Sequence, residues 1–183
     1  MTWVDIILFI ILIVIIFLCF SAGLIRVASI MLGMYLGLQV AGLFYSLFAT
    51  ITADRNSPAS VQTNEVIWFG VLWVVWTIIL SLVVVSFTKE YSMPERLGNV
   101  DQIGGLLLGI FVGIFGAMII AFVIRNTSAL GWISAGRPNN YLFTIYSGFR
   151  DSLLMGVFKT LKTIFVTTLS PWLPKNIPVF GDF

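Results

Sequence analysis

The stretch Asp101-Gln102-Ile103-Gly104-Gly105-Leu106-Leu107-Leu108-Gly109-Ile110-Phe111-Val112-Gly113-Ile114-Phe115-Gly116-Ala117-Met118-Ile119-Ile120-Ala121-Phe122-Val123-Ile124 decides how this chain is read. From Gln102 to Ile124 it carries no charge. A helix rises about 1.5 Å per residue and a bilayer's hydrocarbon layer is about 30 Å thick, so the stretch is long enough to cross it. Within it Gly105, Gly109, Gly113, Ala117 and Ala121 recur at every fourth position and form one ridge almost free of side chain. In lipid no hydrophobic force drives helices together, and such ridges gain instead from close van der Waals and Cα–H contact.

Outward from this span, three more uncharged apolar runs qualify: Ile6 to Ile25, Val27 to about Ala49, and Val66 to Thr88. Only Arg26 divides the first two, so a tight hairpin turn is expected at Phe20-Ser21-Ala22-Gly23, with Gly23 permitting the reversal. Polar loops are expected at Asp54 to Pro58 and at Lys89 to Arg96. The first run carries Asp5 where a secretory signal would carry Lys or Arg, and it is read as a retained membrane helix. The second holds Ser29, Gly33, Gly37 and Ala41 at the same four-residue spacing. These two small-residue ridges are expected to pack on each other, within one chain or between copies; a glycine-lined passage is the alternative.

Composition agrees. Of 183 residues 59% are hydrophobic and 10% charged, with mean hydropathy +1.04, whereas a soluble domain carries roughly a quarter charged residues. The expected fold is an all-α polytopic membrane bundle of four transmembrane helices over residues 1–124, followed by a juxtamembrane region over 125–183. A net charge of +2 without a basic cluster gives no reason to expect nucleic acid. One cysteine, Cys19, and no histidine leave no internal disulfide and no His-based metal or acid–base site. No phosphate-binding loop, Gly-x-Ser-x-Gly or metal-ligand spacing is present, so neither catalysis nor a cofactor is expected.

In the C-terminal region Leu153, Leu154, Val157, Phe158, Leu161, Ile164, Phe165 and Leu169 fall on one helical face. Lys159 and Lys162 lie in mid-segment, where full insertion costs about 2.5–3.5 kcal/mol per lysine. A helix over about 148–169, lying in the interface or capping the bundle, is therefore expected, then a Pro-rich tail with Trp172 at headgroup level. Arg26 and Asp101 share one membrane face and are a candidate interfacial ion pair. Asp5, near the opposite face, is read as an anchor or cap. Gln39 is expected to bond between helices, Trp68 to join the aromatic belt, and Trp73 with Trp76 to face lipid, a partner or a bound cofactor. Asn126-Thr127-Ser128 matches a glycosylation sequon, but its juxtamembrane position argues against use.

Trp3-Val4-Asp5-Ile6-Ile7, Gly23-Leu24-Ile25-Arg26, the Gly33 and Gly37 series, and Asp101-Gln102-Ile103-Gly104-Gly105-Leu106-Leu107-Leu108-Gly109 follow one another in an order that resembles the colicin V production family of bacterial inner-membrane proteins. The resemblance covers roughly Met1 to Ile124, and Phe20-Ser21-Ala22 departs from it where the family commonly places basic residues. It implies a four-span protein tied to toxin production or export, envelope homeostasis and stress tolerance. Relatives with a similar unit anchor an extracytoplasmic serine protease, which implies both termini outside the cytoplasm and the Arg26 turn inside. The expected partners are the lipid bilayer and other membrane proteins or further copies of the chain. A scaffold or assembly factor is the leading expectation; an accessory subunit of a larger membrane complex and a small oligomeric channel are the alternatives.

Overall fold

The computed structural model describes residues 2–52, 58–88, 98–134 and 140–169, and these residues are almost wholly helical. The chain folds as α1 (Trp3–Ala22), α2 (Leu24–Thr52), α3 (Pro58–Thr88), α4 (Gly98–Ser134), α5 (Asn140–Arg150) and α6 (Leu153–Leu169). The first four are long and apolar enough to cross a membrane. The polar loops after α2 and α3 and the Pro-rich tail with Trp172 lie outside the described residues, except that Pro58 opens α3, the one helical position where a missing N–H costs nothing.

Gly23 alone separates α1 from α2. Its φ of +82° is open to glycine at no steric cost, and it reverses the chain as the sequence predicts. Yet α1 and α2 scarcely touch beyond this turn. α1 runs antiparallel along α4, and α2 runs antiparallel along α3.

The small-residue ridges explain that pairing and correct the expected one. Gly105 faces Cys19 and Gly23, Gly109 faces Cys19, and Gly113 faces Leu12 and Ile15, so the α4 ridge belongs to α1. Gly33 faces Ser81 and Gly37 faces Thr77, so the α2 ridge belongs to α3. The flanking ridge members Ser29, Ala41 and Ala117 are buried as well. Each ridge admits whichever backbone comes within reach; a second ridge opposite is not required. The Thr77 and Ser81 hydroxyl oxygens are buried without a conventional hydrogen-bond partner and abut the glycine Cα atoms, an arrangement that suits weak Cα–H···O contacts.

At 20 residues α1 spans about 30 Å, the hydrocarbon thickness itself, whereas α4 with 37 residues spans about 55 Å. α2, α3 and α4 meet α1 at the Gly23 end and overrun its start by about 15 Å at the other. The change of composition at Arg125 therefore falls inside α4, not at a domain boundary. α5 fills the space above α1: its Leu142 lies on Gly131 of α4, and its Gly148 lands on Trp3 and Val4. The expected single helix over 148–169 is broken at Asp151-Ser152, where α5 ends and α6 begins.

α6 is amphipathic as expected, with Met155 and Phe158 buried and Lys159 exposed. It takes neither of the two expected placements, since it starts at the Asp5 end and runs down beside α4. Its first turn sits at Asp5, and the Phe165 ring meets Phe111 and Phe115 of α4 at 5.4 and 5.1 Å between centroids. Since neighbouring Gly113 faces Leu12 and Ile15, α6 descends to the middle depth of α1, about 10–15 Å below Asp5.

The glycine contacts yield a direct test. A Cβ on Gly33 would stand 2.8 Å from the backbone nitrogen of Ser81, which cannot move independently of α3, whereas a Cβ on Gly156 meets nothing within 4 Å. Gly33→Ala is expected to cost about 1–3 kcal/mol, read as a lower melting temperature in detergent. Gly156→Ala is expected to be neutral or stabilising by up to about 1 kcal/mol.

Candidate functional site

The structure concentrates its specific chemistry at two carboxylates, one at each end of the α1/α4 pair. Both sit in the first turn of their own helix, and both cap the N-terminus of another.

Asp101 lies in the first turn of α4. α2 starts immediately after Gly23, and its hydrogen-bond ladder opens only with the Val27 N–H donating to the Gly23 carbonyl, 3.1 Å away. Leu24, Ile25 and Arg26 therefore begin α2 with N–H groups that have no acceptor one turn back. The Leu24 N–H donates to Asp101 Oδ1 at 2.8 Å, and the carboxylate rests against Gly23, where any side chain would collide with it. The negative charge also meets the positive end of α2. This replaces the expected Arg26–Asp101 ion pair. Arg26 is exposed and makes no ion pair with Asp101, because the carboxylate is spent on backbone.

Asp5 is 2% exposed and is more heavily committed. Its Oδ2 accepts from the Thr2 N–H at 2.7 Å and fastens the start of α1. Its Oδ1 accepts from the Ser152 hydroxyl at 2.5 Å and from the Leu154 N–H at 3.1 Å, both at the start of α6. Ser152 Oγ in turn accepts from the Met155 N–H at 3.2 Å, the ordinary N-cap bond. The Thr2 hydroxyl stands 3.2 Å from both Asp5 Oδ2 and the Gly148 carbonyl of α5, and its one proton serves one of them at a time. A buried carboxylate is tolerable only when hydrogen-bonded, and here donors from two helix N-termini surround it. The cap read from the sequence is present, but its reach to Ser152 and Leu154 is not visible in local sequence. Val4-Asp5-Ile6-Ile7 and Val100-Asp101-Gln102-Ile103 repeat Val-Asp-x-Ile at the start of the two helices that pair, a likeness that marks both aspartates without naming their partners.

Other sequence-marked residues fall as follows. Trp73 is 4% exposed and donates its indole N–H to the Met34 carbonyl at 3.3 Å, so it faces the interior of the bundle and not lipid; Trp76 is half-buried. Trp68 donates to Thr52 Oγ1 at 2.7 Å and packs on Phe48, tying the end of α2 to α3. Gln39 is half-buried. Asn126 is 1% exposed inside α4, which closes the sequon to any modifying enzyme in the folded protein. Trp132 packs with Phe143 and Tyr146 where α5 turns back along α4. Arg150 pairs with Asp151 at 3.0 Å on the exposed turn; the contact raises the guanidinium's already high pKa, and such an exposed pair adds little stability. Among the described residues no group of His, Cys, Asp and Glu is placed to hold a metal ion.

Four apolar helices of membrane-crossing length, closed by short capping segments, make this a polytopic α-helical membrane protein. The chain belongs to the colicin V production protein family, whose sequence model it matches from residue 4 to residue 162. No curated protein and no solved structure matches the chain significantly. The family match continues past Ile124, where the resemblance in the sequence was placed, and takes in α5 and the first half of α6. The shared unit therefore contains both partners of the Asp5 cap.

Two measurements separate the caps from the displaced ion pair. Asp5→Ala and Asp101→Ala are each expected to cost about 1.5–3 kcal/mol, as for hydrogen bonds to a charged group. Hydrogen exchange should then accelerate at Leu154 and Met155 in the first variant and at Leu24 in the second. Arg26→Gln is expected to leave the melting temperature unchanged, and a loss equal to that of Asp101→Ala would restore the ion pair.

Proposed function

We propose that this protein is a non-catalytic scaffold or assembly factor that supports toxin production or export and envelope homeostasis. Its place is the bacterial inner membrane, with both termini on the extracytoplasmic side. The observation that supports a scaffold over a conduit is the filled interior. Leu38, Phe69, Trp73, Met118, Ile119 and Phe122 are buried in one continuous core between the helices and occupy the space that a solute path through a single bundle needs. Outside, α1 and α3 present Ile6, Phe9, Ile13, Phe17, Val74 and Ile78 over the membrane depth, a surface open to lipid and to the helices of other membrane proteins. The link to toxin production rests on the family's description. The orientation rests on the resemblance to protease-anchoring relatives alone, because the Lys and Arg residues flanking the spans are evenly divided between the two faces.

Purification of the full chain from its native membrane in mild detergent, followed by quantitative mass spectrometry, is the test. A membrane protein retained at fixed stoichiometry, with no single-channel steps from the purified chain in planar bilayers, is the expected result. Reproducible conductance from a clean homo-oligomer would overturn the scaffold in favour of an oligomeric channel.

A further inference from the structure

We propose that the gap between α2, α4 and α6 is the seat of the segment that follows α6, Ser170-Pro171-Trp172-Leu173-Pro174, which lies outside the described residues. The gap has a volume of about 710 Å³ and is lined by Ala28, Leu32, Tyr35, Phe111, Ile164 and Phe165 among others. Its depth is that of the hydrocarbon, since Phe111 flanks Gly113 and Gly113 faces Leu12 and Ile15 in the middle of α1. The gap lies where α6 ends. Ile164 and Phe165 line it, and Leu169, the last residue of α6, follows Phe165 by about one helical turn. Ile164 is 58% exposed, so this wall is left uncovered by the described residues.

Chain continuity and one unanswered polar group select this occupant. α6 descends from Asp5 to the depth of Phe111 and Phe115 and ends one turn later, so the residues after Leu169 set out from within the hydrocarbon. Pro171 and Pro174 prevent them from extending α6. Non-helical backbone at this depth finds no hydrogen-bond partners in lipid and is tolerated only against protein. The two prolines carry no N–H and leave fewer donors to satisfy, while Trp172 and Leu173 supply apolar bulk to fill the gap. The polar group is the Tyr35 phenol. Tyr35 lines the gap about 17 Å along α2 from its start and makes no hydrogen bond with any described residue. A backbone carbonyl of the seated segment gives the phenol its acceptor. A phospholipid chain carries none at that depth, and the carbonyls of a second copy's helix are already bonded. This seat replaces the headgroup-level position that the sequence suggests for Trp172.

The test uses the full chain in nanodiscs, with p-benzoylphenylalanine in place of Trp172 and the photo-adducts mapped by mass spectrometry. Adducts to residues 28–35 of the same chain are expected, and Tyr35→Phe is expected to lower their yield about five-fold. A second measurement leaves Trp172 in place. In a Cys19→Ala background, a short bifunctional thiol reagent is expected to join Leu32→Cys to Leu173→Cys about ten-fold faster than Leu43→Cys to Leu173→Cys, because Leu43 is exposed on α2 and does not line the gap. Equal rates for the two cysteine pairs, photo-adducts to lipid chains, or photo-adducts to a second copy of the chain would each overturn the proposal.

Discussion

The close approach of α1 and α4 governs the rest of the molecule. Helices in lipid gain nothing from hiding apolar surface, so they hold together only where backbones come near enough for dispersion to add up. Gly105, Gly109 and Gly113 allow that approach along half of α1. Once the two axes lie antiparallel at this spacing, the first turn of each helix sits beside the break at which another helix starts. Asp101 then meets the opening turn of α2, and Asp5 meets that of α6. The seam is thus closed at each membrane face by the same device, a carboxylate answering N–H groups that the new helix cannot satisfy itself.

The fold class was legible because the bilayer imposes length and apolarity on every crossing segment, and those properties are local. Gly23 was legible for a related reason, since a single residue between two spans leaves few backbone solutions. The helix partners were not. Four-residue spacing at Gly33 and Gly105 reports that something comes close but carries no information about what, and Ser81 and Cys19 look like ordinary span residues. Asp5 was readable as a cap for its own helix, whereas its bonds to Ser152 and Leu154 join residues about 150 positions apart. Trp73 misled because spacing alone cannot distinguish an inward from an outward face when the whole helix is apolar.

The position of α6 shows two opposed demands resolved by geometry. Met155, Phe158 and Phe165 favour insertion against α4, while Lys159 and Lys162 favour the surface. A helix tilted in from a fixed N-terminus meets both, because its apolar face descends while its long cationic side chains reach back. The expected cost of burying two lysines belongs to a vertical span, whereas here Lys159 is exposed and Lys162 half-buried. The same tilt leaves an apolar gap of about 710 Å³ between α6, α4 and α2.

The two carboxylate caps also bear on how the protein is made. Synthesis delivers α1 and α2 first, yet the group that completes the start of α2 arrives 77 residues after it, and Asp5 waits for a segment 149 residues downstream. Until α4 emerges, the α1–α2 turn carries an unanswered N-terminus and α1 has no glycine ridge to rest on; until α6 emerges, Asp5 is a charge in search of donors. Incomplete helix starts therefore persist until Leu154 has been made. The α1–α4 seam is closed at the Asp5 end only once the start of α6 has been made, and a chain cut short before Ser152 leaves Asp5 without two of its donors.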